Sequence, residues 1–114
     1  MAADSHASRV ARAITAIRSD FRSSLSVPDL AGVAGMGVSS FHTHFKSVTG
    51  TTPLQFQKDL RLIDARTQLL ERNQSVAEAA HCVGYESATQ FSRDYSRKFG
   101  RSPSQDAKLN RAVA

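Results

Sequence analysis

The chain has 114 residues, with 15 lysines and arginines against 10 aspartates and glutamates, giving a formal charge of +5. That length holds one ordinary domain or two very small ones, and the positive balance favours a polyanionic partner, most often nucleic acid. A single cysteine, Cys82, excludes an internal disulfide framework and fits a reducing cytoplasm; no apolar run reaches membrane-spanning length, and the stretch from Met1 to Ser8 has no apolar segment of the kind a secretory signal needs.

Residues 1–8 read as a flexible tail. Val10, Ile14, Ile17 and Phe21 recur at helical spacing, so a first helix is predicted from about Ser8, as N-cap, to Phe21. Ser26 caps a short second helix that opens on Pro28 and Asp29 and turns Leu30, Val33 and Ala34 inward. Gly35-Met36-Gly37 is a turn with Met36 plugging the core, and a third helix follows from about Val38 to Thr49, with Phe41, Phe45 and Val48 as its apolar stripe. Thr52-Pro53-Leu54-Gln55 is a capping box that opens the longest helix, about residues 53–72, closed by Asn73 and Gln74.

The pattern then repeats. Ser75-Val76-Ala77-Glu78 is another capping box, with Val76, Ala79, Ala80 and Val83 inward and Cys82 as a small core residue. Gly84-Tyr85 is the turn, and a helix over about residues 87–99 carries Ala88, Phe91 and Tyr95 on its inward face. Ser102-Pro103-Ser104-Gln105 opens a last short helix to about Leu109. Phe41, Phe45, Gly50 and Pro53 thus return fifty residues later as Phe91, Tyr95, Gly100 and Pro103. No segment alternates like a strand. The expectation is an all-α fold of about seven helices. It comprises a tail (1–8), a first helix-turn-helix subdomain (9–52), a linker helix (53–72), a second subdomain (73–110) and a short tail (111–114).

The helices over 38–49 and 87–99 are the candidate readers. Opposite the apolar stripe of the first lie Ser39, Thr43, Lys46 and Ser47, flanked by Ser40 and His42. Thr89, Arg93, Ser96 and Arg97 face outward on the second, flanked by Gln90 and Ser92. An α-helix fits the major groove, where arginine forks onto guanine and small polar side chains bond several base edges. Lys46, Arg97 and Lys98 suit phosphates, which position the protein without reading sequence. A stiff linker of twenty residues would rise about 30 Å, close to the ~34 Å turn of B-DNA. One monomer could then contact two adjacent groove segments, and any mismatch would be met by bending the DNA.

Several strings carry a family resemblance. They are Leu30-Ala31, Ala34-Gly35-Met36, Phe41-His42, Phe45-Lys46, Thr49-Gly50 and Pro53, then Arg61-Leu62, Ala65-Arg66 and Leu69-Leu70, and finally Val83-Gly84-Tyr85-Glu86-Ser87, Phe91-Ser92-Arg93, Tyr95, Lys98-Phe99-Gly100 and Ser102-Pro103. Over about residues 9 to 107 the chain resembles the DNA-binding domain of the AraC/XylS family of bacterial transcription regulators. The resemblance implies two homeodomain-like helix-turn-helix modules on a linker helix, double-stranded DNA as partner, and control of transcription, most often activation. Carried over, it implies base reading by Ser39, His42 and Thr43 with Lys46 on phosphate. In the second module the readers would be Ala88, Thr89, Ser92 and Arg93, with Arg97 nearby. Gly37 stands where the family usually has a serine N-cap, a difference of a few tenths of a kcal/mol. Most members carry a further N-terminal effector or dimerisation domain; without one, the expectation is a monomer on DNA.

Other chemistry is weakly signalled. Glu78 and His81 share a helix without a nucleophile, His42 and His44 project to different faces, and His81-Cys82 lacks the further ligands of a zinc site. No enzymatic activity, metal or cofactor is expected. The alternative function is a helical interaction module docking on RNA polymerase or another regulator.

Overall fold

The computed structural model describes residues 5–113. Among them the chain forms seven helices and no strand: α1 (His6–Asp20), α2 (Val27–Ala34), α3 (Val38–Thr49), α4 (Pro53–Glu71), α5 (Val76–Cys82), α6 (Ala88–Phe99) and α7 (Pro103–Val113). The sequence signals set most of the boundaries. Ser26 and Ser87 accept hydrogen bonds from the amides three residues on, and Gly50 and Gly100 end α3 and α6 in the left-handed region at φ 80° and 81°. The capping boxes at Ser75/Glu78 and Ser102/Gln105 are closed in both directions. At Thr52 only half forms: the hydroxyl accepts from Gln55 N, while the Gln55 side chain donates to Asp59.

One boundary moves. Helix α1 starts at His6, capped by Ser5, whose hydroxyl accepts from Ser8 N at 3.1 Å. Two serines three apart can each cap, and the earlier one gains two more helical residues ahead of Ser8. Residues 6–8 therefore belong to α1 and Ser5 caps it; residues 1–4 of the expected N-terminal tail, and Ala114, lie outside the described residues. At the other end α7 runs on past Leu109 to Val113.

The chain divides into two compact units whose boundary falls inside α4, between Leu60 and Arg61. In the first, Val10, Ala13 and Ile17 of α1 meet Leu30, Ala31 and Ala34 of α2 and Phe41 and Phe45 of α3. The opening turns of α4 cover this core: Phe56 meets Phe45 edge-on at 5.7 Å, and the buried Gln57 amide donates to the carbonyls of Phe21 and Ser23. In the second, Leu62, Ala65 and Leu69 of α4 meet Ala79 and Ala80 of α5, Val83, and Phe91 and Tyr95 of α6. The spacing of Leu62, Ala65 and Leu69 is that of Val10, Ala13 and Ile17. The later part of α4 thus serves the second unit as α1 serves the first. The buried Pro53 and Pro103 likewise mark α7 as the counterpart of the start of α4. A linker between two finished modules would need no such sharing.

Some side chains expected inside are not. Val33 and Val48 are 46% and 47% exposed, and Ala31 takes the inward place on α2. Ala88 is exposed, and Cys82 is only half-buried. A helical wheel gives an angle, but an angle buries a side chain only where another element lies opposite it.

The units differ in what closes them. Where the first has Phe45 against Phe56, the second has Tyr95 against Asp106: the phenol donates to Asp106 Oδ2 at 2.5 Å, and Arg66 Nε donates to the same oxygen at 3.0 Å. Burial by itself would push the Asp106 carboxyl up. The hydrogen bonds from Tyr95 and Arg66 outweigh it and hold the carboxyl below the usual carboxylate range. A depressed folded value means that this group stabilises the fold above its unfolded pKa of about 3.9 and stops doing so as pH falls through the lower folded value. Asp106→Asn should therefore be less stable than the parent at pH 7 in urea titrations. The gap should narrow steadily below about pH 4; a gap independent of pH would show that the carboxylate is not the stabilising form.

Candidate nucleic-acid interface

Both candidate reader helices follow a tight turn on a left-handed glycine, Gly35 at φ 69° and Gly84 at φ 98°, a conformation that L side chains resist. The second turn is one residue longer, with seven residues rather than six from glycine to the first core phenylalanine. Helix α3 starts without a side-chain cap, because Gly37 has none to offer. Helix α6 starts with Ser87 Oγ accepting from Gln90 N at 3.1 Å.

The ten candidate residues fall into two groups, one in each unit. On α3, Ser39, Ser40, His42, Thr43 and Lys46 are all exposed. The Thr43 hydroxyl donates back to the Ser39 carbonyl at 3.2 Å, which leaves its lone pairs and methyl outward. His44 is half-buried and rests against His6 with ring centroids 3.7 Å apart, so it belongs to the packing of α3 on α1 and is separated from His42. On α6, Ala88, Thr89, Ser92, Arg93 and Arg97 share one shallow depression of about 670 Å³ with Ser96. The helical wheel places Ala88 inward and the family resemblance places it outward; it is exposed. The α6 depression is lined by two guanidinium groups and three hydroxyls, whereas the α3 group offers one lysine among small polar side chains.

Sequence reasoning missed the group beneath α6. Asp94 is 4% exposed and takes hydrogen bonds from Tyr85 Oη and Gln90 Nε2, both at 2.9 Å, with Arg97 at 3.8 Å. The one available signal was an acidic residue directly beside the core Tyr95, which a charge pattern alone reads as solvated surface. Glu78, which shares α5 with His81, is engaged in the helix cap: the bonds with Ser75 hold its carboxyl below the usual range. Among the described residues no three His, Cys, Asp or Glu side chains are placed to share a metal ion, and no helix is long and apolar enough to cross a membrane.

Residues 30–108 match the helix-turn-helix domain family. The chain belongs to the AraC/XylS type of that family. It is 28% identical over 102 residues to the HTH-type transcriptional activator RhaS of Yersinia pestis, covering 90% of this chain and 37% of that protein. It is 36% identical over 94 residues to an AraC-like transcription regulator of Streptomyces lividans, covering 82% of this chain and 31% of that one. The chain therefore spans about a third of the length of these relatives. Among solved structures, the DNA-binding domain of the global transcriptional factor AdpA, crystallised with a target DNA, superimposes with a TM-score of 0.83 at 28% identity, covering 91% of this chain and 94% of that one.

In this AraC/XylS domain the two candidate reader helices are capped unequally, and the difference is measurable. Ser87→Ala should cost about 1 kcal/mol of stability, and Gly37→Ser should gain a few tenths. A Cβ at Gly37 meets nothing within 4 Å, so the serine fits. Urea titrations of both variants check this; equal shifts would show that the caps do not govern the helix starts.

Proposed function

We propose that this chain is a sequence-specific DNA-binding transcription regulator, of the activating kind, that reads two adjacent major-groove segments with α3 and α6. The observation that carries the reading is the α6 face: Arg93 and Arg97 with Thr89, Ser92 and Ser96 on one exposed surface of a helix held at both ends. A helix of this width enters the major groove, arginine forks onto guanine O6 and N7, and alanine and the threonine methyl meet thymine methyls. Arg93 is assigned to a base, with Ala88, Thr89 and Ser92 beside it, and Arg97 to a phosphate. On α3, Ser39, His42 and Thr43 take base edges, Ser40 lies at their flank, and Lys46 takes a phosphate.

The nineteen residues of α4 rise about 28 Å, which supports contact with two successive groove segments by one monomer. Residues 9–52 and 73–110 are the reading modules and 53–72 the bridge. A further domain in the whole protein could dimerise it, as in longer members of the family. The relatives are bacterial transcription regulators rather than enzymes, and the reading needs no cofactor. It places the chain in the cytoplasm with the DNA.

A second contact is supported beside the first. Gly100, Arg101, Gln105, Lys108, Leu109 and Ala112 line an open, mainly apolar groove of about 640 Å³ along α7. Leu109 is half-exposed there. The groove suits an acidic, apolar segment of RNA polymerase better than it suits a phosphate chain, because its lining is mainly apolar and includes Arg101 and Lys108. On this reading Leu109→Glu should reduce transcription in vitro from a bound promoter and leave DNA affinity unchanged. Loss of DNA affinity would assign α7 to DNA instead.

DNA reading has its own test. Affinity for a selected duplex should fall by roughly 10³ or more between 50 and 200 mM salt. Arg93→Ala should cost ~1–3 kcal/mol and relax preference at one base pair. An equal loss on random DNA would make Arg93 a phosphate contact, and no duplex affinity at either salt would leave only protein docking.

A further inference from the structure

Gln90 lies in the first turn of α6, exposed, three residues before Arg93. Residues three apart on a helix are neighbours, and the first turns of a recognition helix are where base edges are met. A free glutamine amide carries two donors and an acceptor and so discriminates poorly between bases that offer one or the other. Gln90 is not free. Its Nε2 donates to Asp94 Oδ1 at 2.9 Å, one turn along the same helix.

Asp94 is itself held in place. Its other oxygen accepts from the Tyr85 hydroxyl at 2.9 Å, and the Arg97 guanidinium stands 3.8 Å from Oδ1. A carboxylate facing three donors acts as an acceptor, so it is the nitrogen of the Gln90 amide, not the oxygen, that turns toward it. With one Nε2 hydrogen committed to Asp94, the Gln90 carbonyl oxygen is oriented as the acceptor offered to a ligand, beside the one remaining N–H. In the major groove the complementary donors are the amino groups of adenine and cytosine; guanine and thymine offer carbonyl acceptors at the corresponding place.

We infer that Gln90 is a specificity-determining residue that selects an amino-bearing base, adenine or cytosine, on one strand beside the base pair met by Arg93, and that the buried Asp94 is the positioning residue that fixes Gln90 as an acceptor. The inference rests on the DNA-reading function proposed above and adds a base class to it. Asp94 does not touch the DNA; it acts through the orientation of one amide.

The experiment uses the 114-residue chain, a selected duplex and its single-base variants. The parent should favour adenine or cytosine over guanine or thymine at one position by roughly fivefold or more. Gln90→Ala, a change at an exposed side chain, should abolish that preference and spare the others. Asp94→Asn can offer Gln90 either an oxygen or a nitrogen, so it should relax the same preference, and in a Gln90→Ala background it should change that position no further. On the DNA side, replacing a preferred adenine by purine, which lacks the 6-amino group, should weaken the parent and not the Gln90→Ala variant. If Gln90→Ala leaves every base preference in place while Arg93→Ala shifts one, the Gln90 assignment is wrong and DNA reading stands. If Asp94→Asn weakens all duplexes alike, in both backgrounds, Asp94 is structural only. If the parent selects no duplex at all, this inference and the function beneath it fall together.

Discussion

A unit of about fifty residues buries too small a fraction of its surface to be held firmly by one core. Here each unit recruits part of α4. The first takes Phe56, Gln57 and Leu60 over its three helices; the second takes Leu62, Ala65 and Leu69 as its own first layer. One unbroken helix therefore completes two cores.

The shared helix also explains how duplicated units diverged without losing the architecture. Corresponding core positions hold large rings in both units: Phe41 and Phe91 are fully buried, as are Phe45 and Tyr95. What changed is the chemistry at the seam. The second unit replaces the meeting of Phe45 and Phe56 with Tyr95, Asp106 and Arg66, and Asn110 adds a bond to the Leu70 carbonyl. A buried polar cluster of this kind favours one arrangement because every member must find its partner. The first unit combines ring packing with the buried Gln57 amide, which donates to the carbonyls of Phe21 and Ser23. The unit with the polar seam also carries Arg93 and Arg97 on the exposed face of α6.

Beneath that face the same logic runs at the level of single atoms. Asp94 is buried among Tyr85, Gln90 and Arg97, and each contact ties a flexible side chain to the rigid helix. A side chain already restrained loses less freedom when it meets a ligand. The face of α3 has no comparable support: Thr43 bonds to its own backbone and Gly37 supplies no cap.

Much of this was legible in the residues. Capping serines, the Gly-x2-Pro stops and the fifty-residue repeat located six of seven helix starts closely, α3 and α6 among them, because local hydrogen bonding and backbone sterics act over a few residues. Which outward residues would be exposed was also largely readable from helical angle. What angle could not decide was whether anything lies opposite: Val33, Val48 and Ala88 sit near apolar stripes yet face outward. Nor could it show that an aspartate beside Tyr95 is buried, or that α4 is divided between two cores. Those facts depend on residues nine to forty positions apart meeting in space, as Asp106 meets Arg66 and Asp94 meets Tyr85. The order and type of the helices were determined by short-range chemistry, and the identity of the groups that hold the reading face was decided only when the chain closed on itself.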